Sequence, residues 1–177
     1  MQTPGANPAA CPPLRALLLE DDPDFAELLS MWLKPAGISC EAISTAAELE
    51  TCIASGEFDV VLSDYSLAGW TGMDALEQLR ARGSDAPFIV VTGALGDEKA
   101  ADCLRAGACD YLLKDRLDRL PAAIGNALRL RDAQRQQAEA ARALRDSEEK
   151  FAIAFQSSPD AITIASLDGE LIEVNEQ

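Results

Sequence analysis

The sequence predicts a doubly wound α/β domain built on a five-stranded parallel sheet. Three observations point to it. The short apolar runs Ala16–Leu19, Val60–Leu62 and Phe88–Val91 are continuous rather than alternating, as in strands buried on both faces. Helical patterns separate these runs, which implies right-handed βαβ crossovers with helices on both faces of the sheet. Acids, a threonine and a lysine stand where the strands end, and open α/β sheets place their ligands at those ends.

The elements follow in chain order. Residues 1–13 have no basic segment and no apolar segment, so they read as a disordered tail and not as a secretory signal. Ala16–Leu19 is the first strand. Asp22-Pro23 supplies a helix cap followed by proline at the first helical position. Phe25, Leu28, Leu29 and Trp32 keep i, i+3, i+4, i+7 spacing and predict an inward face for the first helix, which Pro35 and Gly37 end. Ile38–Ile43 alternates, as an edge strand does. Thr45-Ala-Ala-Glu48 matches a capping box and opens the second helix, to about Ser55. Phe58–Ser63 is the third strand and Met73–Arg82 the third helix. Phe88–Val91 is the fourth strand. Gly96-Asp97-Glu98 places acids at the start of a fourth helix, where its dipole favours them. Cys109–Leu113 is the fifth strand, and the domain covers 14–130.

The pattern then changes. From about Leu117 a helical pattern runs on through a linker over 131–156, with a seven-residue spacing at Ala123, Leu130, Gln137, Leu144 and Phe151, followed by Ala133, Ala140, Ser147 and Ala154. This is a heptad seam of small residues, read as a helix that pairs with its copy in a homodimer. Ala161–Leu167, the hairpin signal Asp168-Gly169 and Glu170–Val174 read as two strands. Two strands are marginal alone, so disorder, or non-native pairing between chains, is expected beyond about Ser157.

Composition removes several functions. The net charge of −15 argues against direct binding to nucleic acid or anionic lipid. No apolar run approaches the ~20 residues that span a membrane. The absence of histidine excludes Ser/His and Cys/His catalysis and most zinc sites. The five cysteines form no C-x-x-C pair and read as reduced thiols of a cytoplasmic protein.

What remains is the set of strand ends: Glu20-Asp21-Asp22, Asp64, Thr92 and Lys114. With strand order 2-1-3-4-5, the first and third strands are neighbours, and Glu20, Asp21 and Asp64 meet in one shallow cleft. Clustered carboxylates repel, so such a group needs a counter-charge. Mg²⁺ answers this with oxygen ligands, Lys114 adds a fixed positive charge, and Thr92 offers a hydroxyl donor. These are parts for phosphoryl transfer onto a carboxylate.

The motifs Leu17-Leu18-Leu19-Glu20-Asp21-Asp22-Pro23, Asp59 to Leu76 around Asp64, Val90-Val91-Thr92-Gly93 and Ala106 to Lys114 resemble, in order and spacing, those of the receiver domain of two-component response regulators. The resemblance implies that Asp64 accepts a phosphoryl group from a sensor histidine kinase or phosphotransfer protein. It implies Mg²⁺ bound by Glu20, Asp21, Asp64 and the backbone carbonyl of Ser66, with Lys114 and Thr92 assisting and Thr92 and Tyr111 as the switch pair. Two positions depart from the family pattern. Asp115 follows the lysine, and Ala68 stands in the loop after Asp64, where proline is common. Asp146–Phe151, Ser157–Ile162 and Asp168–Asn175 resemble the beginning of a PAS sensor domain, truncated over 157–177. Any catalytic output is expected outside this chain. Two other readings stand beside this one. The first is a phosphorylation-independent dimeric interaction scaffold. The second is a hydrolase with an aspartyl-phosphate intermediate, which Ser66 disfavours because a second aspartate belongs there.

Overall fold

The computed structural model describes residues 13–56, 58–93 and 97–175. The tail expected over residues 1–13 lies outside them but for Pro13, as do Gly96 and the side chains of Asp97 and Glu98 that were to begin the fourth helix. The chain forms two compact units, Met1–Arg131 and Asp132–Gln177.

The first unit holds strands β1 (Leu14–Leu19), β2 (Ile38–Ile43) and β3 (Val60–Ser63), a two-residue ribbon β4 (Ser66–Leu67) and β5 (Trp70–Thr71), then β6 (Phe88–Thr92) and β7 (Asp110–Leu113). The main sheet runs β2-β1-β3-β6-β7 and every neighbouring pair is parallel. Leaving the ribbon aside, this is the predicted order. The helices are α1 (Pro23–Leu33), α2 (Ala46–Ser55), α3 (Gly72–Ala81), α4 (Asp97–Arg105) and α5 (Leu120–Gln156).

Alternate strand residues feed two cores, as the pleat requires. Ala16, Leu18, Val60, Leu62, Ile89 and Val91 pack with α1 and the first turns of α5. Leu17, Leu19, Val61, Phe88 and Val90 pack with α2, α3 and Cys103 of α4. β1, β3 and β6 bury their residues on both faces, which is why their sequences read as unbroken apolar runs.

Local signals set the helix starts. Asp22 accepts hydrogen bonds from the N–H groups of Asp24 and Phe25 (3.0 and 3.3 Å), with Pro23 at the first helical position. Thr45 and Glu48 form a reciprocal capping box on α2, and Thr71 and Asp74 form a second one on α3.

Three expectations are corrected. The buried face of α1 is Ala26, Leu29 and Leu33; Leu28 and Trp32 are 41% and 47% exposed. Two stripes share Leu29, and the one containing the small Ala26 lets the helix approach the sheet closely. Ala123 is buried in the first unit's core, so it cannot belong to an intermolecular seam. Leu130, Leu144 and Phe151 are exposed. Disorder beyond Ser157 is not what the second unit shows. β8 (Thr163–Ala165) pairs antiparallel with β9 (Leu171–Val174). Buried Asn175 closes this hairpin: its Oδ1 accepts from Ile162 N (2.6 Å) and its Nδ2 donates to Asp160 O (3.0 Å). Two added side-chain bonds supply what a bare hairpin lacks.

Candidate functional site

Main-chain bonds stitch the strand tips together. Asp64 N donates to Leu19 O (2.9 Å), Glu20 N to Ile43 O (3.0 Å) and Lys114 N to Thr92 O (2.8 Å). The residues after β1, β3, β6 and β7 are thereby held at one edge of the sheet.

Lys114 occupies the middle of this edge. Its Nζ donates to Glu20 Oε2 at 2.7 Å and stands 2.7 Å from Asp64 Oδ2. The Glu20 side chain is 2% exposed, that of Asp64 13% and that of Lys114 22%. Glu20 Oε1 accepts from Asp22 N (3.2 Å), and Asp64 Oδ1 accepts from Ser66 N (3.3 Å). Burial pushes the Glu20 carboxyl above its ordinary range, and its bonds to Lys114 and Asp22 only partly offset this. Burial alone would lower the Lys114 ammonium; its hydrogen bonds to Asp64 and Glu20 outweigh burial and hold it above its ordinary value. The site is therefore a buried glutamate and a partly buried aspartate tied by one shared cation.

The sequence-predicted residues divide accordingly. Glu20, Asp64 and Lys114 meet directly. Thr92 is buried beside them at the end of β6, and Tyr111, half-buried on β7, packs into the second core. Asp21 is exposed. Among the described residues no group of three or more Asp, Glu, Cys or His side chains is arranged to hold a metal ion. A 530 Å³ cleft runs from Glu20 and Asp21 toward Ser44 and Glu48 on the β2 side, and neither Asp64 nor Lys114 lines it. The Lys114–Asp115 peptide is trans. Ala68 occupies the turn between β4 and β5 beside Gly69, whose φ of +83° needs glycine.

Three residues at this edge went unread in the sequence. A Cβ on buried Gly72 would come within 3.0 Å of Asp64 O and lie 2.7 Å from Ser63 Oγ, so α3 starts pressed against the backbone of Asp64. Ser63 Oγ itself donates to Asp64 O (2.8 Å). The Phe25 ring lies over Lys114, 4.1 Å from Nζ to the ring centroid. A glycine directly before a helix whose N-terminus faces an acid was the readable hint; nothing local announced the other two.

A doubly wound sheet that gathers an aspartate, a glutamate and a lysine at its carboxyl edge holds charged groups where such sheets bind their ligands. Residues 16–125 match the response regulator receiver domain, and the chain belongs to that family as a two-component phosphoacceptor receiver. It is 30% identical over 125 residues to the response regulator protein PilR of Pseudomonas aeruginosa, covering 70% of this chain and 28% of PilR. It is 34% identical over 100 residues to the C4-dicarboxylate transport transcriptional regulatory protein DctD of the same species, covering 56% and 22%. The chain thus spans about a quarter of the length of these curated relatives. Among solved structures, the BeF3-activated receiver domain of Klebsiella pneumoniae RstA superposes with a TM-score of 0.60 at 28% identity, over 65% of this chain and 98% of that one. A receiver domain of a putative LuxO repressor from Vibrio parahaemolyticus shares the fold, with a TM-score of 0.64 at 22% identity, covering 70% and 95%.

Proposed function

We propose that Asp64 is the phosphoacceptor and that Lys114 is its electrostatic partner. The observation that carries this is the Lys114 ammonium bonded at 2.7 Å to both Glu20 and Asp64. In the reaction, an Asp64 oxygen attacks phosphorus. The phosphorus–nitrogen bond of a phosphohistidine breaks, and its electron pair leaves with the imidazole. These 177 residues hold no histidine, so the phosphohistidine lies outside them, on a sensor histidine kinase or phosphotransfer protein. Lys114 neutralises charge on the transferring group, and Thr92 offers its hydroxyl to a phosphoryl oxygen.

Mg²⁺ would be held by the carboxylates of Glu20, Asp21 and Asp64 and the main-chain carbonyl of Ser66, hard oxygen donors of the kind it takes, although the three acids do not converge as they stand. Glu20 and Asp64 each give only one oxygen to Lys114 and keep acceptor capacity for a cation. When bound, the ion supplies charge neutralisation at the phosphoryl oxygens.

An acyl phosphate at Asp64 adds charge and three acceptor oxygens beside Thr92. Thr92 and Tyr111 answer as the switch pair, and the change passes along α5 to a downstream module that begins with the PAS-like segment after Ser157. Exposed Leu130, Leu144 and Phe151 suit a homodimer through α5. The chain's own role is phosphoacceptance; catalytic output, DNA contact and membrane insertion are not assigned to it, and its compartment is the cytoplasm. A phosphorylation-independent scaffold is disfavoured, since such a role needs no lysine bonded to the acceptor carboxylate.

Incubation with acetyl phosphate and Mg²⁺ is expected to add one phosphoryl group by intact mass, lost on mild alkaline treatment. Asp64→Asn should abolish it. Undiminished labelling of Asp64→Asn would refute the assignment.

A further inference from the structure

Lys114 has a third neighbour besides its two carboxylates. The Phe25 ring centroid lies 4.1 Å from Nζ, well within the ~6 Å of a cation–π contact. Phe25 is placed by its own surroundings. Its N–H is held by the Asp22 cap, and its half-buried ring packs against the core beneath α1. The ammonium is thus enclosed by Glu20, Asp64 and the negative face of an aromatic ring. Its side chain remains 22% exposed.

We propose that Phe25 is a positioning residue for Lys114, holding the ammonium over the acceptor through the ring face. The proposal rests on the reading of Asp64 and Lys114 above. A carboxylate pair alone leaves the lysine free to swing toward water whenever Asp64 changes its charge or shape. The ring contact does not depend on Asp64. It therefore keeps Nζ within reach of the acceptor while Asp64 becomes an acyl phosphate. Any apolar side chain could fill the space under Lys114, but only an aromatic face attracts its charge.

Those two roles separate in a fluorination series. Phenylalanine, 4-fluoro-, 3,5-difluoro- and 3,4,5-trifluorophenylalanine at position 25 of the full chain keep the shape and drain the ring face stepwise. The initial rate of labelling by acetyl phosphate with Mg²⁺ is expected to fall at every step. Phe25→Leu should be slower by about tenfold, the size of a partly desolvated cation–π contact, and Phe25→Trp should match or exceed the wild type. The trifluoro variant should melt with the wild type. A labelled wild type with a flat series, or equal rates for leucine and phenylalanine, overturns the role of Phe25 and leaves Asp64 as acceptor. No labelling of the wild type overturns both.

Discussion

Gly72→Ala tests how tightly the acceptor's backbone is clamped. Gly72 has an ordinary negative-side φ, so alanine meets no conformational penalty there, unlike at Gly37 with φ +74°. The whole cost is steric. The new methyl would sit 2.7 Å from Ser63 Oγ and closer than 3.0 Å to Asp64 O, whereas ordinary contact begins at 3.4 Å. Carbonyl and hydroxyl must retreat by more than half an ångström, roughly the overpacking that costs ~1–3 kcal/mol. The Ser63–Asp64 hydrogen bond is disturbed as well, adding ~1 kcal/mol. Alanine's better helix propensity returns up to ~1 kcal/mol. The net expectation is a loss of about 1–3 kcal/mol in urea unfolding. Displacing a reacting group by ~1 Å can cost on the order of 10²-fold in rate, so labelling by acetyl phosphate should slow by roughly that factor even where the variant is fully folded. A Gly72→Ala protein that is as stable as the wild type and labels equally fast would refute the clamp.

Other outcomes follow from the same contacts. Lys114→Met leaves Glu20 buried without its counter-charge and should cost about 3 kcal/mol in urea unfolding; adding Glu20→Gln should recover much of it, and additive losses would contradict the pairing. Glu48 accepts from Ser44 N, Thr45 Oγ1 and Thr45 N, which holds its carboxyl below the ordinary value of 4.5. A depressed folded-state value means stabilisation present above pH 4.5 and lost as pH falls through the folded value. The stability gap between wild type and Glu48→Gln should therefore be open at pH 7 and close in acid, as read by urea titrations at both pH values. Asn175→Ala should free the amide of Ile162 and unpair the hairpin by ~1–3 kcal/mol, seen as faster amide exchange there and not in β1.

The sheet was legible because its strands are buried on both sides, so β1, β3 and β6 announce themselves without any tertiary knowledge. Asp22, Thr45 and Glu48 were equally plain, since capping depends on neighbours three residues away. The inward face of α1 was misread because periodicity counts large apolar residues. Trp32 therefore outweighed Ala26, although a small residue is what a close helix–sheet approach selects. The site's membership was readable as strand ends, but its internal order was not. That Lys114 would bond both acids depends on side chains 94 residues apart. The ribbon of β4 and β5 was read only as a glycine loop, because two-residue strands carry no period. The hairpin after Ser157 was paired correctly but judged too weak, since Asn175 gave no sign that it would fold back onto Asp160 and Ile162.

The strand that carries Asp64 is fastened at its other end too. Arg131 donates to the backbone carbonyl of Asp59 at 3.0 Å, and the Asp59 carboxylate accepts from Arg15 N at 2.9 Å. Between these ends lie only the four residues of β3, all fully buried, all paired with β1, and three of them, Val61–Ser63, paired with β6 as well. At about 3.3 Å per residue this is a rod some 16 Å long between Asp59 and Asp64. A rod so gripped has little slack to absorb a push along its axis. Torque on α5 at Arg131 and chemistry at the opposite rim of the sheet are thus mechanically joined by a single short β-segment.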